Sequence, residues 1–315
     1  MFINATGFYI PSERVHNDYF LDVNGLTNEW IQQRTGIVTR SKAAEDENIN
    51  TMSFAAVENA IETLPYPIED VDLIIAASYS PYDTVGTFGH EVQRKFNVDK
   101  ARVVYISSAC SSFLNALEIV EGYFATGKAT KALVVSADHN TYYSNESDPK
   151  AGHLWGDAAA AFFLSKEQVK AGEARIVDIF TQGLGHIGKG PDGVKLLPGD
   201  GGIVMPDGRD VFIQACTYMA KNTLDILENN NYTLEDLSYL IGHQANMRIM
   251  SNIAKQLNLP EEKFLSNIAE LGNTGSVSTA LVYAQNKDLY KKGDKIVLTV
   301  FGGGYSAGVC LIQFD

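Results

Sequence analysis

The chain has 315 residues, 45% of them hydrophobic, and a formal net charge of −13. This length predicts about two domains or one large duplicated unit, with enough apolar residues for a sizeable core. The acidic balance argues against non-specific nucleic-acid binding, and no run of about 18 apolar residues is present to span a membrane.

The cysteines indicate a reducing compartment. Cys110, Cys216 and Cys310 are odd in number and widely spaced, which favours neither a disulfide framework nor a zinc site. The first residues lack the charged start and long apolar core of a signal peptide. We therefore expect a cytoplasmic protein without a metal site.

An internal repeat organises the chain. A helical pattern from Ser53 precedes "PIEDVDLIIAAS" at residues 67–78, and a similar pattern from Tyr218 precedes "TLEDLSYLIGHQ" at residues 233–244. The two strand-like segments are 166 residues apart. Self-similarity of this kind predicts a duplication.

The repeat continues downstream in the same order. "ACSSFLNALEIVEGYFATGKATKALVVSAD" and "NTGSVSTALVYAQNKDLYKKGDKIVLTVFG" each indicate a helix, a turn and a buried strand. Each half is therefore predicted to contain three strands alternating with helices, and this alternation predicts mixed or parallel sheets covered on both faces. We expect an α/β protein of two halves, residues 1–168 and 169–315, packed as α/β/α/β/α layers.

A glycine-rich stretch at residues 183–208 contains Gly183-x-Gly185-x-x-Gly188 after a strand-like segment. The residues that follow, "KGPDGVKLLPGDGG", cannot open a helix, as a dinucleotide-binding motif would require. We interpret the stretch as a loop.

Cys110 lies where a strand-like stretch hands over to a helical pattern at residues 113–124. A helix N-terminus lowers the pKa of a thiol, and small neighbours leave room for a substrate, so Cys110 is a candidate nucleophile. The alternative is a buried packing residue, which is how we interpret Cys216 and Cys310.

The repeat predicts that other groups converge on Cys110. His243 ends a predicted strand, and Asn273 precedes a predicted helix, at positions that a pseudo-twofold axis brings together. Taken alone, His243 would be a structural histidine and Asn273 a turn residue. The glycines of "FGGGYSAG" at residues 301–308 either present N–H groups to an oxyanion or form a tight turn.

Five motifs carry a family resemblance: "NEWIQQRTGI" (28–37), "WGDAAAA" (155–161), "GHQANMRI" (242–249), "GNTGSVS" (272–278) and "FGGGYSAG" (301–308). With them the chain resembles β-ketoacyl-acyl-carrier-protein synthase III over nearly its whole length. The resemblance implies the thiolase-like five-layer α/β/α/β/α fold of two duplicated halves.

The resemblance implies an acyltransferase that makes carbon–carbon bonds in fatty acid synthesis. Cys110 takes an acyl group from acyl-coenzyme A, and malonyl-acyl-carrier protein then decarboxylates and attacks it to give a 3-oxoacyl-carrier protein. His243 and Asn273 are the implied donors to the thioester oxygen, and the N–H groups of Cys110 and Gly303 the implied oxyanion hole. Thiolases carry a second cysteine where this chain has Phe301.

Coenzyme A contacts are implied for one set of residues. Trp30 and Arg34 suit an adenine ring and a phosphate, and Asn246 suits the pantetheine arm. The remaining implied contacts are Gly208, Phe212 and Lys150. Lys150 stands in a loop that is shorter than in the family, where an arginine is usual.

Partners follow from the same resemblance. Arg248 and Lys255 are seven residues apart on one predicted helical face and are candidates for docking the acidic carrier protein. The family implies a homodimer in which Val85 of one subunit closes the acyl pocket of the other, with Phe301 on the same pocket. The implied chemistry uses coenzyme A thioester as substrate and no cofactor.

Three residues depart from the family pattern near the nucleophile. Ser111 and Ser112 add hydroxyls, and Trp155 replaces a phenylalanine, which indicates a changed acyl pocket. The alternatives to chain initiation are a specialised condensing enzyme or acyltransferase of secondary metabolism, a cysteine hydrolase and a non-catalytic binding module. A hydrolase would leave the duplication and "FGGGYSAG" unexplained.

Overall fold

The structure is a computed structural model that describes all residues from 1 to 315. Its strands are β1 Phe2–Tyr9, β2 Glu13–His16, β3 Thr39–Lys42, β4 Leu73–Ala77, β5 Arg102–Ile106, β6 Lys131–Asp138, β7 Ala158–Ser165, β8 Ala174–Gly183, β9 Lys195–Leu197, β10 Gly202–Val204, β11 Tyr239–Gly242, β12 Lys295–Gly302 and β13 Ser306–Phe314. Its α-helices are α1 Tyr19–Asn24, α2 Asn28–Thr35, α3 Ile49–Ile61, α4 Phe88–Lys95, α5 Ser112–Ala125, α6 Asn140–Tyr143, α7 Gly208–Asn229, α8 Met247–Gln256, α9 Ile268–Leu271 and α10 Ser278–Gln285.

The central sheet has nine strands in the order β11-β12-β13-β8-β1-β7-β6-β4-β5. From the β1–β8 junction outward, β1-β7-β6-β4 of the first half mirrors β8-β13-β12-β11 of the second. Only Phe2 and Ile3 of β1 pair with β8, so two sheets meet at a narrow seam. The first half adds one further strand, β5, at the outer edge.

Alternating side chains divide the core into layers. Leu73 and Ile75 of β4 face the central core that also buries α5 and α10, while Ile74 and Ala76 face an outer core under α3 and α4. The second half repeats this arrangement, with a third core under α7 and α8. Because a strand buried on both faces is apolar throughout, the sequence pattern and the observed five layers agree, which confirms the predicted fold class.

The second half departs from the repeat at one strand. The counterpart of β5 is reduced to a bridge between Leu240 and Phe264, supported by the hydrogen bond from Leu265 N to Leu240 O at 3.2 Å. The sequence pattern had predicted three strands alternating with helices in each half. We propose that the halves divide at residues 168/169, between β7 and β8.

The glycine-rich stretch forms a loop that carries the β9–β10 hairpin. It ends where Asp207 caps α7, whose first turn contains Gly208 and Arg209. The helical pattern predicted from Tyr218 lies within this helix. No helix is both long enough and apolar enough to traverse a bilayer.

Candidate active site

Cys110 lies on a tight turn between β5 and α5. The residue before it, Ala109, adopts a left-handed backbone conformation with φ of +50°, which is unfavourable for residues other than glycine. Ser111 Oγ donates to Ser108 O at 2.8 Å, and Ser112 Oγ donates to Ala109 O at 2.6 Å. Ser112 Oγ also accepts from Ser108 N at 2.8 Å. The two unusual serines therefore hold the strained turn.

The backbone of the C-terminal glycines reaches the nucleophile directly. A Cβ on Gly302 would lie 2.6 Å from Cys110 N, so only glycine permits this approach. Hydrogen bonds from the backbone N–H groups of Gly303 and Cys110 act to lower the pKa of the Cys110 thiol, so both donors lie beside the sulfur.

The Cys110 thiol is protonated near neutral pH. Part of its surface faces a cavity, yet burial raises its pKa to about 12, and the nearby Asp138 carboxylate adds to the effect. The expectation that a helix N-terminus lowers the pKa of Cys110 is therefore wrong. The reason is that α5 begins only at Ser112, and desolvation outweighs the dipole.

His243 follows β11 and is 3% exposed. Its Nδ1 lies 2.7 Å from Ser278 Oγ, which accepts from Gln244 N at 3.4 Å. With its oxygen accepting from Gln244, the Ser278 hydroxyl is free to donate to Nδ1, and that leaves the proton on Nε2. Burial lowers the His243 pKa to about 4, so the ring is a neutral hydrogen-bond donor near pH 7.

Asn273 is held by its backbone on both sides. Its N–H donates to Leu154 O at 2.8 Å, and its carbonyl accepts from Gly156 N at 2.9 Å. Its side-chain Oδ1 accepts from Gly275 N at 3.0 Å. Because the oxygen is engaged, the amide Nδ2 remains as a donor.

The structure brings the three predicted catalytic residues together. Cys110, His243, Asn273, Phe301 and Gly303 line one narrow cavity of about 40 Å³. Beyond the sulfur it opens into a larger cavity of about 540 Å³, and the two share Cys110, Trp155, Val194 and Gly303.

On the opposite side lies a mouth of about 440 Å³, connected to the narrow cavity through Met205. All six residues predicted for coenzyme A line this mouth: Trp30, Arg34, Lys150, Gly208, Phe212 and Asn246. The Arg34 guanidinium stacks over the Trp30 ring at 5.2 Å. The mouth, the narrow cavity and the larger inner cavity thus adjoin one another in this order, and Cys110 lines the last two.

Arg209 also lines the mouth, and sequence reasoning failed to place it. It lies in the first turn of α7, capped by Asp207, whose side chain accepts from Asp210 N at 3.1 Å. The signal available was an aspartate immediately before a helical pattern, a common N-cap.

The predicted docking and dimer residues lie outside the narrow cavity. Arg248 lines both the mouth and an adjoining outer groove, and Lys255 lines that groove. Val85 is 86% exposed in the single chain and lines none of these cavities.

Asp138 is a buried residue beside the site that sequence reasoning missed. It is fully buried at the end of β6, where it accepts from Ser78 Oγ at 2.7 Å, Tyr79 N at 3.2 Å and Ser80 Oγ at 2.8 Å. It also accepts from Ser276 N at 2.7 Å and Ser276 Oγ at 2.8 Å. Burial raises the Asp138 pKa, while these donors oppose the shift. Asp138 thus ties β4 of the first half to the Asn273 loop of the second.

Comparison with known proteins places the chain in a family. The family model described as "3-Oxoacyl-[acyl-carrier-protein (ACP)] synthase III" matches residues 105–184, and the model of the C-terminal part of the same family matches residues 227–314. The β-ketoacyl-[acyl-carrier-protein] synthase III of Clostridium perfringens (strain SM101 / Type A) is 31% identical, covering 98% of this chain and 97% of the relative. That of Ehrlichia ruminantium (strain Welgevonden) is 30% identical, with 99% and 98% covered.

A solved structure agrees with these relatives. The crystal structure of 3-oxoacyl-[acyl-carrier-protein] synthase III from Aquifex aeolicus VF5 superimposes with a TM-score of 0.92 at 30% identity, covering 99% of both chains. With these relatives and the site described above, the chain belongs to the β-ketoacyl-[acyl-carrier-protein] synthase III family, whose members are condensing enzymes of the acyltransferase type.

Proposed function

We propose that this protein condenses an acyl group from acyl-coenzyme A with malonyl-acyl-carrier protein, giving a 3-oxoacyl-carrier protein at the start of fatty acid synthesis. The observation that carries this function is that Cys110, His243 and Asn273 line one narrow cavity, which adjoins an outer mouth and an inner cavity.

In the first half-reaction, the Cys110 sulfur attacks the thioester carbonyl. The new sulfur–carbon bond forms as the bond to the coenzyme A sulfur breaks, and the thiol proton leaves with coenzyme A. A cysteine suits this exchange because sulfur is both nucleophile and leaving group. The N–H groups of Gly303 and Cys110 stabilise the negative oxygen of the tetrahedral intermediate.

In the second half-reaction, the malonyl thioester loses carbon dioxide, and the electron pair moves onto the thioester oxygen. The neutral His243 Nε2–H and the Asn273 Nδ2 donate to that oxygen. The resulting enolate carbon attacks the acyl carbonyl on Cys110, and the sulfur leaves. The thioester itself accepts the electrons, so the reaction needs no cofactor.

The mouth suits the nucleotide end of coenzyme A. Trp30, 37% exposed, offers a face to a planar base, and Arg34 lies beside it. Arg209 and Lys150 add cations for phosphates. Asn246 caps α8 by accepting from Arg248 N at 2.8 Å, which leaves its amide nitrogen for the pantetheine arm.

The carrier protein would dock on α8. Arg248 stands at the rim of the mouth and Lys255 on the groove beside it, so a carrier bound there could extend its arm towards His243. Carrier proteins are acidic, and this chain has a net charge of −13, so a local basic surface has to overcome long-range repulsion.

A homodimer in the cytoplasm completes the proposal. Val85 and Tyr82, 86% and 63% exposed, stand on one loop and would lose this exposure against a second copy. Val85 of one subunit would then close the inner cavity of the other, with Phe301 on the wall near Cys110.

Intact-protein mass measurement tests the function. Incubation with acyl-coenzyme A is expected to add one acyl group on Cys110, and malonyl-carrier protein is expected to remove it with release of carbon dioxide. Release of free acid without malonyl thioester would indicate a hydrolase and contradict the proposal.

A further inference from the structure

The hairpin between β12 and β13 contacts the turn that carries the nucleophile at two places. Gly302 and Ser306 pair with each other at the end of this hairpin, next to its loop. Gly302 lies against the backbone nitrogen of Cys110, and Ser306 Oγ lies 2.6 Å from Ser111 Oγ. The two contacts thus join consecutive residues of the turn, Cys110 and Ser111, to the two ends of one tight loop.

The two N–H groups of the proposed oxyanion hole lie beside these contacts. One belongs to Gly303, which follows Gly302 in the loop, and the other belongs to Cys110. Because the two groups come from opposite halves of the chain, their separation depends on how closely the hairpin approaches the turn. Gly302 has no side chain to set that distance, whereas the hydrogen bond between Ser306 and Ser111 is a directional contact of normal length.

The direction of the hydrogen bond between Ser306 and Ser111 follows from counting hydrogens. A serine hydroxyl has one hydrogen to donate. Ser111 Oγ lies 2.8 Å from Ser108 O and 2.7 Å from Asn115 Oδ1, and both of these oxygens only accept. Ser111 therefore gives its hydrogen to one of these two oxygens, and Ser306 is the donor to Ser111.

The orientation of the Asn115 amide supports this assignment. Its Nδ2 donates to Thr181 Oγ1 at 2.9 Å, and the Thr181 hydroxyl donates to the Glu118 carboxylate. Because Thr181 has given its own hydrogen to Glu118, it can only accept from Asn115. Asn115 Oδ1 is thus the atom that faces Ser111. These bonds connect α5 to β8, so Ser111 is held in place where the Ser306 hydroxyl meets it.

We propose that Ser306 and Ser111 are positioning residues for acyl transfer, because their hydrogen bond sets the separation of the two N–H groups of the oxyanion hole. The inference rests on the proposed acylation of Cys110. The pair acts through Gly303 and Cys110, since any movement of the hairpin against the turn displaces one N–H group relative to the other. A misplacement of about 1 Å can lower a rate by about 10²-fold, so a smaller displacement should have a smaller effect.

The test measures single-turnover acylation of Cys110 by intact mass, with acetyl- and butyryl-coenzyme A as donors. Ser306→Ala is expected to lower the maximal acylation rate by about tenfold and to change the donor concentration at half-maximal rate by less than about twofold. The reason is that an oxyanion hole stabilises the transition state more than the bound thioester. Ser306→Thr keeps a hydroxyl donor and suits a strand, so it is expected to recover most of the rate.

A double-mutant cycle separates the pair from the individual residues. Ser111→Ala also loses the bond to Ser108 O, so it is expected to slow acylation at least as much as Ser306→Ala. In the Ser111→Ala background, Ser306→Ala is expected to have little further effect, because residues in contact are not additive. The matched control is Ser53→Ala, which removes a buried hydroxyl that donates to Ile49 O at 2.6 Å within α3 and should leave acylation unchanged.

Four results would overturn the inference: a normal maximal rate in Ser306→Ala, a change confined to the half-saturating donor concentration, a loss that Ser306→Thr does not recover, or effects that multiply in the double variant. In each case the unmodified protein still acylates Cys110, so the proposed function stands. Failure of the unmodified protein to take up an acyl group from either donor would remove the proposed function as well.

Discussion

Strands β6 and β12 occupy equivalent places in the two halves, and each is eight residues long. Both end near Cys110, one with a charged residue and the other with a residue that has no side chain. β6 ends in Asp138, whose carboxylate crosses to Ser276 of the second half. β12 ends in Gly302, whose missing side chain admits the backbone of Cys110 from the first half. One strand end therefore holds the loop of the donors, and the other makes room for the nucleophile.

The helix starts differ in the same complementary way. The turn before α5 carries the strained Ala109 and the thiol, while the loop before α10 carries the Asn273 amide. Burial sets the charge state on both sides, keeping Cys110 protonated and His243 neutral. A duplicated framework thus supplies two equivalent positions, and the side chains divide nucleophile from donors between them.

Removal of the nucleophile is expected to have the largest effect. Cys110→Ser should reduce acylation to background. A serine hydroxyl is a much weaker acid than a thiol, and the site has no base strong enough to deprotonate it. Uptake of radiolabelled acyl group from the thioester measures this. A serine variant that still takes up label would show that the first half of the molecule does not carry the nucleophile.

Loss of a donor in the second half should separate the two half-reactions. His243→Ala and Asn273→Ala are each expected to slow malonyl decarboxylation by about 10²–10³-fold, the usual effect of one lost oxyanion donor, while acylation of Cys110 continues. Release of labelled carbon dioxide and intact mass measure the two steps. An equal fall in both steps would contradict this division between the halves.

Substitutions at the ends of β12 and β6 test whether these two residues have different roles. Gly302→Ala places a Cβ against Cys110 N and is expected to lower kcat/KM for acylation by about 100-fold, because a small displacement of a reacting group has a large effect on rate.

Asp138→Asn is the matched change on β6. It replaces an acceptor of five hydrogen bonds with an amide, so we expect the free energy of unfolding to fall by about 1.5–3 kcal/mol. Denaturant unfolding and acylation kinetics are measured for both variants. If Gly302→Ala acylates normally, the close approach of β12 does not position the thiol.

The pH dependence of Cys110 tests whether burial or the helix governs the thiol. A pKa of about 12 predicts that alkylation by iodoacetamide rises about tenfold per pH unit between roughly pH 6 and pH 9, since only the thiolate reacts. His243, with a pKa of about 4, should add no inflection in this range. Peptide mass mapping confirms the alkylated site, and a plateau near neutral pH would show that the helix N-terminus dominates.

The smallest expected effect is at the docking surface. Arg248→Glu on α8 should raise the KM for malonyl-carrier protein by about 3–10-fold and leave acylation by acyl-coenzyme A nearly intact. In the unmodified protein the reaction should slow as salt rises, because salt screens the attraction between Arg248 and the acidic carrier. Arg94→Glu, on the equivalent helix α4 of the first half, is the matched charge reversal and should not change this KM. An equal effect of both variants would indicate only a change in net charge.

Much of the fold follows from local patterns. The apolar runs at β4 and β12 predict strands buried on both faces, and the repeat spacing predicts that they occupy equivalent positions. The prediction of a strand equivalent to β5 in the second half was wrong, because "KFLSN" at residues 263–267 forms only a single bridge at Phe264. A short segment with one apolar pair shows too little periodicity to distinguish a strand from a loop.

The amino-acid sequence was sufficient to predict the duplicated layers, because periodicity and turn residues are local properties. It could not predict the protonation of Cys110, since desolvation depends on every element packed around the sulfur. Nor could it predict the five hydrogen bonds that join Asp138 to both halves, because the partners come from segments far apart in the chain. Both properties arise from the tertiary structure, in which the two halves close around one narrow cavity.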